Sequence, residues 1–200
     1  FDVVSTGMIL SAEQAALVSD FCEQSAKKGA LVFVDPIMGD EGKLYNGVGE
    51  ETIAHMRKMV AVADCIVPNY TEAAYLADMP YHEDMTEEEA RALTIRLHEM
   101  GAKSVVVTSA KVDGENCVVG YDGTEGEFFR IPFDLIPVRF VGTGDIFAAV
   151  MLGRLVDGVP LQESTHRAMD AVRTMIDRNR DKEDKYLGIP IETCLEVLDE

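Results

Sequence analysis

The run Leu31-Val32-Phe33-Val34 sets four large apolar residues side by side and ends in Asp35. A strand with one wet face alternates apolar and polar residues, so this one must be covered on both faces. The neighbouring sequence supplies the covers. Ser11-Ala12-Glu13-Gln14 has capping-box spacing and opens a helix in which Ala15, Leu17, Val18, Phe21 and Cys22 are expected to form one buried stripe. Lys27-Lys28-Gly29 closes that helix with a cationic turn and a glycine. The alternation recurs. Residues 51–63 read as helix, 65–67 as strand, Thr71 and Glu72 as the start of a short helix, and 104–108 as strand. Between the last two, Thr86 with Glu89 forms another capping box, and its helix runs to Met100-Gly101. Strands alternating with helices of this length predict βαβ units and a parallel sheet, an α/β protein.

Further on, two β-rich runs, 117–121 and 127–131, flank Asp122-Gly123-Thr124 and predict a hairpin. Residues 146–156, 161–178 and 191–198 read as helices, the last two separated by the charged stretch 179–185. Neither an internal repeat nor a separating linker stands out, so residues 1–200 are read as one domain. Residues 1–6 read as a strand already under way at the first position, which suggests a start in the middle of a fold.

With 36 acidic against 18 basic residues the formal charge is −18, which argues against nucleic acid or an anionic membrane as partner. A phosphate ligand must then be met by local donors or through a metal. No apolar run is long enough to span a bilayer. Cys22, Cys65, Cys117 and Cys194 lie far apart without metal-ligand spacing and are expected to be reduced core thiols of a cytoplasmic protein.

The most informative segment is Gly142-Thr143-Gly144-Asp145 at a helix start. Two glycines let the backbone approach a ligand, the first-turn amides point at it, and the helix dipole favours negative charge there. Asp145 in such a cradle can take a proton from an attacking hydroxyl while the amides stabilise the transferring group. On spacing alone it is equally a first-turn acid that complements the dipole. Two other nucleotide motifs fail by inspection. Phe147 stands where a Rossmann fingerprint needs its third glycine, and Leu44 replaces the Ser or Thr that follows the lysine of a Walker A loop.

A second set of residues stands at strand ends. Asp35 closes one strand, Asp40 follows in its loop, and Asn69 and Glu72 follow the next strand. Ligands of open parallel sheets bind at those ends, and oxygen donors of this kind suit Mg²⁺. Taken singly, Asp35 is also readable as a loop acid and Glu72 as a helix-start acid. The four histidines lack metal spacing, Met56, Met59 and Met100 read as core filler, and Ser109 has no base partner for nucleophilic chemistry.

Taken in order, Gly7 with 11–14, the stretch Asp35-Pro36-Ile37-Met38-Gly39-Asp40 with Gly42 to Tyr45, Val67-Pro68-Asn69-Tyr70-Thr71-Glu72, Thr108-Ser109, and Phe140-Val141-Gly142-Thr143-Gly144-Asp145 resemble the pyridoxal kinase branch of the ribokinase-like superfamily. The resemblance implies a three-layer α/β/α fold with a mostly parallel central sheet whose first strands precede the match to Phe1. It implies ATP-dependent phosphorylation of the 5′-hydroxymethyl group of a B6 vitamer, with Mg²⁺, in a homodimer. Asp145 would be the general base, with Gly142, Thr143 and Gly144 as the anion hole. Asp35, Asp40 and Glu72 would surround the ATP phosphates and Mg²⁺, with Asp40 and Glu72 on the metal side. Asn69, Thr108 and Ser109 would contact phosphate, Tyr45 would close over the nucleotide, and Phe133 and Ile136 would flank adenine.

Two departures are visible. Gly7-Met8 replaces a Gly-Tyr pair common in relatives, removing an aromatic expected near the vitamin ring, and Val67 replaces a threonine linked to a monovalent-cation site. The alternatives are a hydroxymethylpyrimidine (phosphate) kinase, which shares the anion hole, and a non-catalytic nucleotide-binding or assembly module.

Overall fold

The computed structural model describes residues 1–198, which fall into two units, Phe1–Phe133 and a second beginning at Asp134. The first is built on a six-stranded sheet. Its chain order is β1 (Val3–Thr6), α1 (Ala12–Ala26), β2 (Leu31–Val34), a small antiparallel ribbon of β3 (Gly39–Asp40) and β4 (Lys43–Leu44), α2 (Glu50–Val60), β5 (Cys65–Ile66), α3 (Tyr70–Ala77), α4 (Glu87–Glu99), β6 (Ser104–Val112), β7 (Glu115–Asp122) and β8 (Glu127–Pro132). The sheet order is β1-β2-β5-β6-β7-β8, parallel from β1 to β6 and antiparallel from β6 to β8. An α/β class with a mostly parallel sheet is what the apolar runs demanded.

Alternate residues explain why those runs cannot alternate in polarity. Val32 and Val34 join a core that also takes Met56, Met59, Leu76, Leu93 and Leu97 from the helices. Phe33 and Val106, which point to the other face, are equally buried. Pro36 and Pro68 follow β2 and β5 within two residues and cannot donate to a ladder, so both strands end at one level. The loops after them therefore open on the same edge of the sheet.

Several local expectations need correction. The α1 stripe is narrower than its apolar residues suggest: Ala15, Cys22 and Ser25 are buried at helical spacing, whereas Leu17 is 64% and Phe21 48% exposed. Leu17 and Phe21 lie one row aside, and the Phe21 ring meets Phe1 edge-on. The lysines at 27 and 28 stand just past the helix. β6 continues to Val112 and pairs with β7, so the hairpin is part of a three-stranded meander. All four cysteines are free and buried. Among the described residues no helix is long and apolar enough to cross a membrane.

The second unit contains α5 (Thr143–Val156) and α6 (Leu161–Asn179). Phe140, Ile146, Ala171, Met175, Ile189, Cys194 and Val197 form its core. The helix expected over 191–198 is instead two short 3₁₀ turns, Ile191–Thr193 and Leu195–Leu198, around Cys194. Eight residues form a helix only with a cap and packing to support it, as α3 has; here no side-chain cap follows Pro190, and burial of Cys194 and Val197 sets the backbone locally.

Candidate active site

Strand ends, a helix start and a ribbon meet at the first turn of α3. Asn69 caps the helix by accepting from the Glu72 amide at 3.0 Å, and the Glu72 carboxylate accepts from the Asn69 amide at 2.8 Å. This is a capping box, but its acid does more than close it. The other carboxylate oxygen of Glu72 accepts from the amide of Met38 at 2.9 Å and from that of Gly39 at 3.5 Å. Asn69 Nδ2 donates to the Gly39 carbonyl at 2.8 Å, and the amide of Gly42 donates to Thr71 Oγ1 at 2.8 Å. Three polar positions within one turn, 69, 71 and 72, thus fasten the ribbon that carries Asp40.

The ribbon needs its glycines for different reasons. At Gly39 a Cβ would stand 2.4 Å from the Lys43 carbonyl oxygen, so the close approach of β3 and β4 excludes a side chain. Glu41 and Gly42 both take positive φ in the turn between them. Tyr45 leaves the ribbon with its amide donating to the Met38 carbonyl and its ring partly exposed.

Glu72 is 3% exposed. Burial pushes its carboxyl up to about 7, the amides of Met38, Asn69 and Gly39 pull it down, and the charge of Asp35 adds to the upward push. Burial prevails over three amides. Asp35 is therefore within electrostatic reach of Glu72, on the strand end where its own amide donates to the Thr6 carbonyl. Thr108 bridges Asn69 in parallel pairing and donates its amide to the Pro68 carbonyl. Ser109 follows at a register shift in β6, exposed and at φ 55, a left-handed conformation that costs a non-glycine residue about 1 kcal/mol or more.

The structure thus gathers Asp35, Asp40, Tyr45, Asn69, Glu72, Thr108 and Ser109 along one edge of the first unit. Phe133 closes the meander, its amide donating to the Asn116 carbonyl. The remaining expected residues lie in the second unit. There Ile136 accepts from the Val138 amide, and Gly142 occupies the N-cap of α5 at φ +84 with no side-chain cap bond. Asp145 stands exposed in the first turn. Thr143 and Gly144 begin the helix, so the cradle is its own first turn.

Among the described residues no three or more His, Cys, Asp or Glu side chains cluster as a metal cage. Mg²⁺ that is held mainly by phosphates and water needs only one or two carboxylates. Asp40 and Glu72 fit that looser demand. Both are oxygen donors, and a cation would offset the burial that disfavours charge on Glu72. Sequence reasoning missed Thr71, Tyr70 and Tyr81 as part of this edge. Their only signal is the turn-forming Glu41-Gly42, which requires something to hold it.

The fold is that of the ribokinase-like kinases. Residues 1–188 match the family model described as phosphomethylpyrimidine kinase, and the chain belongs to that family. Its curated relatives place it on the pyridoxal kinase branch of the superfamily. Pyridoxal kinase of Arabidopsis thaliana is 32% identical over 82% of this chain and 53% of its own length. The chain spans about half the length of the curated relatives it matches. A candidate phosphomethylpyrimidine kinase from Bacteroides thetaiotaomicron superposes with a TM-score of 0.95 at 33% identity, covering all of this chain and 70% of that one, and was also crystallised with pyridoxal. Pyridoxal kinase from Lactobacillus plantarum gives 0.85 at 28% identity over all of this chain and 71% of that one.

Proposed function

We propose that the protein transfers the γ-phosphoryl group of ATP to the 5′-hydroxymethyl oxygen of a B6 vitamer: pyridoxal, pyridoxine or pyridoxamine. The observation that carries this reading is the start of α5, where a left-handed glycine replaces a side-chain cap and a solvent-exposed carboxylate stands three residues on. First-turn amides left without a side-chain cap are donors for an anion, and an exposed acid among them has access to a substrate proton. The pyridoxal kinase names of the relatives, and the pyridoxal in one crystal form, support the choice of acceptor.

In this reading Asp145 takes the proton of the hydroxymethyl group, the freed oxygen attacks the γ-phosphorus, and the bond to the β-phosphate oxygen breaks to release ADP. Amides of Gly142, Thr143 and Gly144 receive the charge that develops on the transferring group. Asn69, Thr108 and Ser109 hold phosphate oxygens, Tyr45 covers the nucleotide, and Phe133 and Ile136 flank its base. Asp35 orders the phosphate side, and Asp40 and Glu72 would hold Mg²⁺, whose charge offsets that of ATP in a protein of net charge −18. The same reading takes the protein as cytoplasmic and homodimeric, as the family resemblance implies.

Asp145→Asn in the full-length protein is expected to lower kcat by about 10²- to 10⁴-fold, the range of general-base removal, with nucleotide affinity by calorimetry unchanged. A near wild-type rate would remove Asp145 from the chemistry. The family description favours a second reading, phosphorylation of hydroxymethylpyrimidine or its phosphate. A substrate panel with coupled ADP detection separates the two, since turnover of the pyrimidine alone would overturn the vitamer assignment.

A further inference from the structure

The loop between α3 and α4 reaches back over the ribbon. Tyr81 in that loop stacks on Tyr70, ring centroids 4.7 Å apart and 25° from parallel. Tyr70 is 4% exposed and its hydroxyl accepts from the His82 amide at 3.0 Å, so the inner ring is fixed at the start of α3 and pins the loop beside it. The outer ring meets the ribbon turn. A Cβ at Gly42 would stand 3.0 Å from Tyr81 Cε1 and 3.1 Å from Cδ1, which puts the Gly42 backbone flat against that ring. Burial raises the Tyr81 phenol, and the charges of Asp40, Glu83 and Glu41 raise it further, which places Asp40 within its electrostatic reach.

The hydrogen bonds of Glu72, Asn69 and Thr71 fasten the ribbon from the α3 side. Its turn, Glu41-Gly42, carries positive φ at both residues and is bonded on the Gly42 amide. The Glu41 amide donates to Asp40 Oδ1 at 2.9 Å, and a stacked ring behind Gly42 is a further support. We propose that Tyr81 is a positioning residue: its ring, stacked on Tyr70, backs the Gly42 turn and sets where the ribbon carries Asp40. The inference rests on the kinase reading for its catalytic consequence and on the structure alone for its mechanical one.

The test uses Tyr81→Ala and Tyr81→Phe in the full-length protein, each checked for fold by circular dichroism, with two readouts. The first is hydrogen exchange of the amides of residues 39–44. Tyr81→Ala is expected to accelerate it about three- to tenfold, the range of one lost aromatic pair, while Tyr81→Phe keeps the wild-type pattern because the ring and not the hydroxyl does the backing. The second is the split of kinetic constants: a similar rise in KM for ATP in Tyr81→Ala, with KM for the acceptor unchanged. Unaltered exchange in Tyr81→Ala overturns the proposal, as does equal damage in Tyr81→Phe. If Tyr81→Ala does not fold, Tyr81→Leu, which keeps apolar bulk without the stack, takes its place with the same outcomes. If the wild type proves inactive as a kinase, the kinase reading fails and the exchange result still decides the role of Tyr81.

Discussion

At the start of α3 an asparagine caps the helix and a buried glutamate closes the box, while at the start of α5 a glycine at φ +84 holds the cap position and no side-chain cap forms. Both helices begin with backbone donors that their own turns cannot satisfy. In α3 the protein uses its cap and first turn internally: Asn69, Thr71 and Glu72 bond the backbone of the ribbon as well as the helix. In α5 the acid is exposed and the cap is bare backbone. The same local resource makes a rigid anchor when side chains consume it and a candidate ligand cradle when they do not.

Substitutions at Glu72, Asp145 and Gly142 probe that contrast. The largest effect belongs to Glu72→Ala, which strips an acceptor from the buried amides of Met38, Gly39 and Asn69. Each orphaned donor costs about 1–3 kcal/mol, so urea denaturation is expected to show a loss of about 3–5 kcal/mol after partial relaxation. Asp145→Ala, an exposed position, is expected to stay within about 0.5 kcal/mol. Similar losses at the two acids would break the comparison.

The next effect is a pH dependence. Glu72 has a folded pKa raised from its ordinary value to about 7. Below the ordinary carboxyl range the group is protonated in folded and unfolded chains alike. Between that range and about pH 7 the unfolded chain has released a proton that the folded chain keeps, so stability falls as pH rises, then levels off. The swing from this group is up to about 3 kcal/mol. Glu72→Gln has no such proton, so its stability relative to wild type is expected to rise from pH 4 to pH 8. A flat difference between the two proteins across that interval would show that the amides cancel burial, and a falling one that they prevail over it.

The smallest effect sharpens the other side. Gly142→Ala is expected to cost about 1–2 kcal/mol, the left-handed penalty of an L-residue. Its new Cβ would lie 3.7 Å from Asp145 Oδ2, an ordinary contact, so the cost is conformational and not steric. Gly142→Asn, whose side chain tolerates that region, should lose less. Equal losses in Ala and Asn would point to crowding at the cradle instead.

Much of this was legible in the residues. The unbroken apolar run 31–34 required a doubly covered strand, and it is one. The pairing of Thr86 with Glu89 announced the start of α4, and both halves of that box form. Asp35, Asp40, Asn69 and Glu72 were expected at one edge because they close or follow parallel strands, and the pairing of β2 with β5 and the bonds of Asn69 and Glu72 to the ribbon bring them there. By contrast the exposure of Leu17 and Phe21, the 3₁₀ turns after Pro190 and the Tyr70–Tyr81 stack left no trace in periodicity.

The sequence by itself determined strand and helix type, the proline-terminated strand ends and the glycine-lined start of α5, because these follow from forces acting over a few residues: side-chain covering, caps and allowed φ. Only the tertiary structure decided that Glu72 serves three amides, that Thr71 holds Gly42 and that Tyr81 lies behind it. Those partners lie 29 to 39 positions apart in the chain for Thr71–Gly42, Glu72–Met38 and Tyr81–Gly42. No local pattern encodes such a meeting; packing of the sheet and its helices creates it, and the burial that comes with that packing is what moves the Glu72 proton.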